Sequence, residues 1–194
     1  MELLINIDQH KDMTFTAIDF ETAHSNFPCE IGLTRVVDGQ IIKSQSWLIK
    51  PACFPYMNPW NQRAHGISSK DVSTAFSFEE LWSELNPWME DNIMVAHNAA
   101  FDMRVLRSAL SYYDLAIPRV EYFCSVNISR KVWKQLPSHS LSSVSQYHNI
   151  HFNHHRAGDD AEVCAIIALK AFETLEALNV HDGLKRLGVL LKKL

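Results

Sequence analysis

The stretch EIGLTRVVDGQIIKSQSWLI (residues 30–49) holds two runs rich in β-branched residues, joined by Asp38-Gly39. A connection of this kind closes a hairpin, because both of its positions take positive φ, which Asp tolerates and Gly adopts freely. Upstream, TFTAIDF (14–20) reads as a buried strand, so a three-strand antiparallel meander leads the chain. Downstream the rhythm changes. IMVAH (93–97) and VEYFCSV (120–126) are short apolar strands with helical patterns between and after them. The first helix starts near residue 78, where Ser77 and Glu80 form a capping box ahead of Phe78, Leu81, Trp82 and Leu85; Pro87 interrupts it. A second runs over 100–111, with Phe101, Val105, Leu106 and Ala109 inward and Asn98 as its expected cap. SLSSVSQY (140–147) is a short helix, and 158–178 the longest, periodic at Val163, Ile166, Ile167, Leu169 and Leu175. Residues 50–66, with Pro51, Pro55 and Pro59, read as an irregular loop. The fold class expected is α/β: a mixed central sheet, antiparallel meander plus parallel strands, flanked by helices.

Composition bounds the rest. With 194 residues, 47% apolar and 21% charged, the chain reads as one globular domain over 1–194. Its motif-bearing core spans about 13–178, and a basic amphipathic end, HDGLKRLGVLLKKL, covers 181–194. The formal charge of −4 excludes binding of a polyanion by bulk charge alone; such a partner would be met locally or through cations. Cys29, Cys53, Cys124 and Cys164 are scattered, which argues against a zinc ribbon or disulfide frame. MELLINIDQHKD (1–12) has acids among its apolar residues and is no signal peptide, and no apolar run reaches the ~18 residues of a membrane span. A soluble, cytoplasmic setting without membrane contact is the expectation.

Four acids stand where strands end or helices begin. Asp19 and Glu21 are two apart at the end of the first strand, so both side chains point to one face. Taken singly, they could be exposed acids at a strand end. Asp102 and Asp160 fall in the first turns of two helices, where a carboxylate is favoured by the helix dipole whatever its function. Asp159 competes with Asp160, since neighbours on a helix point about 100° apart and only one can face a given site. In an open α/β sheet such ends meet in one crevice. Four carboxylates gathered there require cations between them. Hard cations such as Mg²⁺ take oxygen ligands, and two of them about 3.5–4 Å apart clamp both oxygens of an in-line phosphoryl displacement. His155, five residues before Asp160, titrates near neutrality and suits a general base.

IDFET (18–22), VAHNAAFDMRVL (95–106) and HRAGDDAE (155–162) together resemble, in order, the three motifs of the DEDD exonucleases of the ribonuclease-H-like fold. The histidine in the third motif places the likeness in the DEDDh subgroup, which includes the proofreading subunit of bacterial replicative DNA polymerase and ribonuclease T. AHGIS (64–68) matches a further family segment near the substrate's 3′ end, and the resemblance covers about residues 13–172. It implies Asp19, Glu21, Asp102 and Asp160 as ligands of two Mg²⁺ or Mn²⁺ ions and His155 as general base. It implies 3′→5′ hydrolysis of single-stranded nucleic acid, DNA favoured over RNA, with release of 5′-nucleoside monophosphates. Thr22, Ala23, His65 and Phe101 fall where family members touch the terminal nucleotide, with Asn98 in support. A polymerase or other repair protein, and a second copy of the chain, are the protein partners it suggests. The chain departs from many members at Ala23-His24, where they carry Thr-Gly.

Other readings share these residues. His148, His151, His154 and His155 form a histidine-rich run that could hold zinc, although Asn149 and Asn153 and the lack of helical pattern suggest a loop. QYHNIHF (146–152) faintly matches a clamp-binding peptide, but its apolar residues fit a core. Arg130, Lys131 and Lys134 beside Trp133 form either a phosphate track or an ordinary solvated helix face. A non-catalytic docking module and a metal-dependent hydrolase of small nucleotides are the two alternatives to a nuclease.

Overall fold

The computed structural model describes residues 12–194; the reading of the opening stretch as no signal peptide lies outside them. The meander forms as its turn chemistry requires. Strands β1 (Phe15–His24), β2 (Phe27–Val37) and β3 (Gln40–Leu48) pair antiparallel in sequence, and Asp38 and Gly39 have φ of 49° and 76°. Two parallel strands extend the sheet on the far side of β1: β4 (Asn92–Ala96) and then β5 (Val120–Cys124). A last antiparallel strand, β6 (Lys192–Lys193), gives the order β3-β2-β1-β4-β5-β6.

Helices α1 (Pro59–His65) and α2 (Phe78–Leu85) follow the meander, and α3 (Ala99–Tyr112) connects β4 to β5. The helices α4 (Ser125–Val132), α5 (Leu141–Tyr147), α6 (Ala157–Thr174) and α7 (Val180–Leu187) complete the chain. Three of these, α1, α4 and α7, were not read as helices from the sequence; α7 lies in the basic amphipathic end. Residues 50–66 are not wholly irregular: Asn58 and Pro59 are an N-cap and first-turn proline, and the Asn58 side chain accepts from the Trp60 and Asn61 amides. The run VEYFCSV is a strand only to Cys124, where α4 takes over.

The sheet separates two cores. Alternation along β1 sends Ile18 and Phe20 to the α2–α3 side and Phe15 and Ala17 to the α4–α7 side. Each fully buried Phe contributes roughly 1.5–3 kcal/mol relative to exposure. Asp19 and Glu21 share the parity of Phe15 and Ala17, so they continue that row toward α6. The helix reaches the sheet closely because residue 32 has no side chain: a Cβ on Gly32 would lie 1.9 Å from the Ala157 carbonyl oxygen. Gly32 is the partner of Asp19 in the ladder, so the start of α6 is seated beside that acid. The C-terminal segment packs on its own chain, with Val189 and Leu191 against one core and Leu194 against the other. Among the described residues all four cysteines are free, and no helix is long and apolar enough to cross a membrane.

Candidate active site

At the end of β1 the pairing shifts register between Glu21 and Thr22, so the strand bends where its acids stand. Oxygens of Asp19, Glu21 and Asp160 lie within 4.8 Å of one another. Asp19 and Glu21 come from β1, and Asp160 from the first turn of α6. Asp102, 1% exposed, approaches from the first turn of α3, and its Oδ1 accepts the Phe20 amide at 3.1 Å. Asn98 stands at the N-cap position of α3 but does not cap it. Its backbone is left-handed, with φ of 78°, and its exposed side chain lines the cleft instead.

The electrostatics are those of crowded acids. Burial first, then Asp102, Asp160, Glu21 and Glu30, push the Asp19 carboxyl well above the usual range. Burial, then Asp160 and Glu30, push Glu21 to about 8. Asp102 also rises to about 8, chiefly by burial, although the Phe20 amide pulls the other way. Asp160 is raised by burial against the pull of His154 and the His155 amide. Carboxylates that hold protons at neutral pH while touching one another lack positive charge. The donor set is oxygen only, as Mg²⁺ or Mn²⁺ prefers, so the residues fit such ions.

Asp160 is aimed by the histidine loop. Its oxygens accept from His154 Nδ1 at 3.1 and 3.2 Å and from the His155 amide at 3.1 Å. His155 has φ of 67°, a strained value for a non-glycine residue. Its Nδ1 lies 3.6 Å from Glu21 Oε1, and the side chain is 45% exposed. Burial and then His154 lower its pKa, so the ring is neutral at physiological pH. Asp159 points elsewhere and accepts from the Asn153 backbone and side chain at 3.2 and 3.0 Å.

The histidine-rich run does not converge on one ion: the described cluster takes in His154 and His155 with Asp160, and neither His148 nor His151. His154 and His155 stack at 3.9 Å with an angle of 18° between their planes. Of the residues expected at the terminal nucleotide, Thr22, His65 and Phe101 line a cleft of about 440 Å³ beside the acids. His65 presents its ring but no free nitrogen. Nε2 is 3.2 Å from the Thr22 carbonyl and Nδ1 accepts the Ile67 amide at 3.0 Å, which fixes the neutral Nε2–H tautomer. Ala23 is not brought to the cleft; its side chain is fully buried with Cys29, Met57 and Val72. His24 is no free surface residue, since its ring packs edge-on against Tyr56 at 5.2 Å.

Two contributors had no motif to mark them. Glu30, 1% exposed, stands opposite Glu21 in the ladder, and its carboxylate accepts the Ala157 amide at 3.1 Å. It supplies what Arg156 cannot, an acceptor at the start of α6. His154 holds Asp160 yet reads in sequence only as a member of the histidine run. The larger cleft, of about 820 Å³, runs from these groups past Arg130 and residues 137–141, so Arg130 faces the site while Trp133 is buried.

Residues 16–168 match the exonuclease family model. The chain is 32% identical over 174 residues to a PolC-type DNA polymerase III of Thermotoga maritima, covering 87% of this chain and 12% of that protein. It is 27% identical over 186 residues to a 3′-5′ exonuclease DinG of Staphylococcus epidermidis, covering 93% of this chain and 20% of that protein. The chain thus spans a fifth or less of these relatives' length. Among solved structures, exonuclease X in complex with 5′-overhanging duplex DNA superposes with a TM-score of 0.69 at 24% identity, covering 82% of this chain and 92% of that one. The nuclease domain of 3′hExo, a DEDDh family member bound to rAMP, gives 0.72 at 14%, covering 86% and 94%. These two likenesses show the ribonuclease-H-like fold. The chain belongs to the exonuclease family, whose members generally use divalent metal ions.

Proposed function

We propose that this chain removes nucleotides one at a time from the 3′ end of single-stranded nucleic acid, DNA in preference to RNA, and releases 5′-nucleoside monophosphates. The observation that carries the reading is the triangle of Asp19, Glu21 and Asp160 oxygens, with Asp102 beside it and burial and mutual repulsion raising the pKa of every one of these acids. Asp19, Glu21, Asp102 and Asp160 would hold two Mg²⁺ or Mn²⁺ ions. When bound, the ions supply the charge that activates water and stabilises the departing 3′ oxygen. His155, neutral and partly exposed, takes the proton from the attacking water. The water oxygen bonds to phosphorus, and the bond from phosphorus to the 3′ oxygen of the preceding nucleotide breaks. Phe101 offers an aromatic face to the terminal base without sequence preference, Thr22 and His65 form the wall beside it, and Asn98 lines the adjoining cleft.

DNA is favoured because the first matched relatives are DNA polymerases and a 3′-5′ exonuclease. The greater length of those relatives supports a polymerase or another repair protein as partner. The described residues would act as one exonuclease domain. The test uses 5′-labelled DNA and RNA strands with free or blocked 3′ ends, in Mg²⁺, Mn²⁺ or EDTA. A metal-dependent ladder from the free 3′ end, faster on DNA and absent with Asp160→Ala or Asp19→Ala, is expected. Cleavage that survives EDTA, or that ignores the 3′ block, would overturn the reading.

A further inference from the structure

Trp60 is 74% exposed, the most exposed aromatic residue among those described. Tryptophan has the largest apolar surface of any side chain, and a solvated one beside a binding cleft marks a contact to be made. It is not a loosely held residue. Asn58 caps α1 through the Trp60 amide at 2.9 Å, and the Asn58 amide donates to the Ala23 carbonyl at 2.7 Å. The next residue, Asn61, donates to the Thr22 carbonyl and hydroxyl at 2.9 and 3.1 Å, and His65 one turn on reaches the same carbonyl. These bonds pin α1 to the residue that follows Glu21. The indole is therefore set at a fixed offset from the acids on a backbone that is already rigid. Arg63 lies over the ring, its guanidinium carbon 5.3 Å from the centroid.

The cleft geometry gives the ring a partner. Glu21, His155 and Phe101 line both the larger cleft, which carries Arg130, and the smaller one, which Trp60 also lines. A nucleoside whose 5′ phosphate sits at Glu21 can enter the small cleft beside it, where Phe101 and Trp60 both line the wall. The cleft's volume of about 440 Å³ is ample for one nucleoside. We propose that Trp60 stacks on the 3′-terminal nucleobase and makes the small cleft a one-nucleoside subsite for any of the bases. The proposal rests on the exonuclease reading above. Arg63 keeps the indole in place and adds positive charge near the outgoing nucleotide.

The experiment separates the base from the phosphodiester. Thymidine 5′-monophosphate p-nitrophenyl ester carries one nucleoside, with nitrophenolate in place of the preceding nucleotide, whereas methyl p-nitrophenyl phosphate has the same leaving group and only a methyl group in the nucleoside's place. Both are hydrolysed in Mn²⁺ by the wild type, Trp60→Ala and Trp60→Phe. Stacking at about 1–3 kcal/mol per base corresponds to a rise in KM of roughly 5- to 150-fold for the nucleoside ester with Trp60→Ala. Its kcat is expected within about twofold of wild type, as for a group that binds ground and transition states alike. Trp60→Phe recovers most of the loss, and neither change raises KM for the base-free ester. An unchanged KM for the nucleoside ester overturns the proposal. An equal rise for both esters overturns it too, since a methyl group in the nucleoside's place cannot stack. Binding of thymidine 5′-monophosphate, read as quenching of indole fluorescence that Trp60→Phe removes, tests the stacking without hydrolysis. If the wild type cleaves neither ester but the quenching is present, the nuclease reading fails and the subsite stands; if the quenching is absent as well, both fall.

Discussion

Asp102→Asn is expected to stabilise the metal-free protein at alkaline pH. Asp102 is 1% exposed, and its pKa rises from an ordinary 3.8 to about 8. The native state then keeps a proton that the unfolded chain gives up, so stability falls as pH climbs from about 4 through about 8. At about 1.4 kcal/mol per unit, that alone would cost on the order of 5 kcal/mol near pH 7.5. The acids share the strain: once one is neutral its neighbours repel less, so removing a single charge recovers a part, roughly 1–3 kcal/mol. Asparagine retains an oxygen for the Phe20 amide, now 3.1 Å from Oδ1, and adds no volume. In a chain of this size about 1–3 kcal/mol moves Tm by roughly 2–12 °C. Thermal unfolding followed by circular dichroism in EDTA at pH 5, 6.5 and 8 reads the effect. The variant should gain most at pH 8 and progressively less toward pH 5. With saturating Mn²⁺ the order at pH 8 should reverse, because ions bound only by the native wild type stabilise it. A wild-type Tm that stays flat from pH 5 to 8 in EDTA, or a variant less stable than wild type at pH 8, would refute the crowded-acid account.

His155→Ala should lower kcat by ~10²-fold or more with little change in KM, and should remove the acidic limb of the pH–rate profile, measured by single-turnover kinetics. An acidic limb that persists would assign the base elsewhere. Gly32→Ala drives a Cβ into the Ala157 backbone, so it should cost about 1–3 kcal/mol or more and also weaken Mn²⁺ binding, by calorimetry, as α6 lifts Asp160 away from Asp19. Full Mn²⁺ affinity in a folded variant would contradict the seating of α6 on β2. With a net charge of −4, single-stranded DNA should bind weakly in EDTA and tighten when Ca²⁺ is added, by fluorescence anisotropy. Tight binding in EDTA would contradict a role for cations in holding the substrate.

Periodicity and motif order made most of this architecture legible. The Asp38-Gly39 turn, the Ser77–Glu80 capping box and the alternation that puts Asp19 and Glu21 on one face all stand where the sequence placed them. Of the two neighbouring acids, Asp160 stands with Asp19 and Glu21, while the loop that presents His155 turns Asp159 back onto Asn153. Reading failed where local pattern and local cap disagree. Three prolines in 50–66 masked α1, although Asn58-Pro59 was a helix start, and Asn98 looks like a cap but is carried past capping geometry by a left-handed backbone. Ala23 failed for a different reason. A motif position says which residue lies near a site, not which way its side chain points, and the register shift at Thr22 turns Ala23 into a separate apolar cluster.

What no local pattern could carry is the support for the acids. The first turn of α6 bears two carboxylates, and its N-cap position is an arginine with no side-chain acceptor to offer. Glu30 fills that role from β2, more than a hundred residues away in sequence, and does so directly opposite Glu21. A fifth carboxylate is thus placed against four that already repel, and the Arg156 guanidinium, 3.9 Å from Glu30 Oε1, offsets part of that charge. His154 answers part of the cost by donating to Asp160 while it stacks on His155. The same loop therefore aims the acid, neutralises part of its charge and presents the base. Without cations Glu21 and Asp102, each raised to about 8, keep protons at neutral pH; divalent ions at the acids would replace those protons and relieve the repulsion.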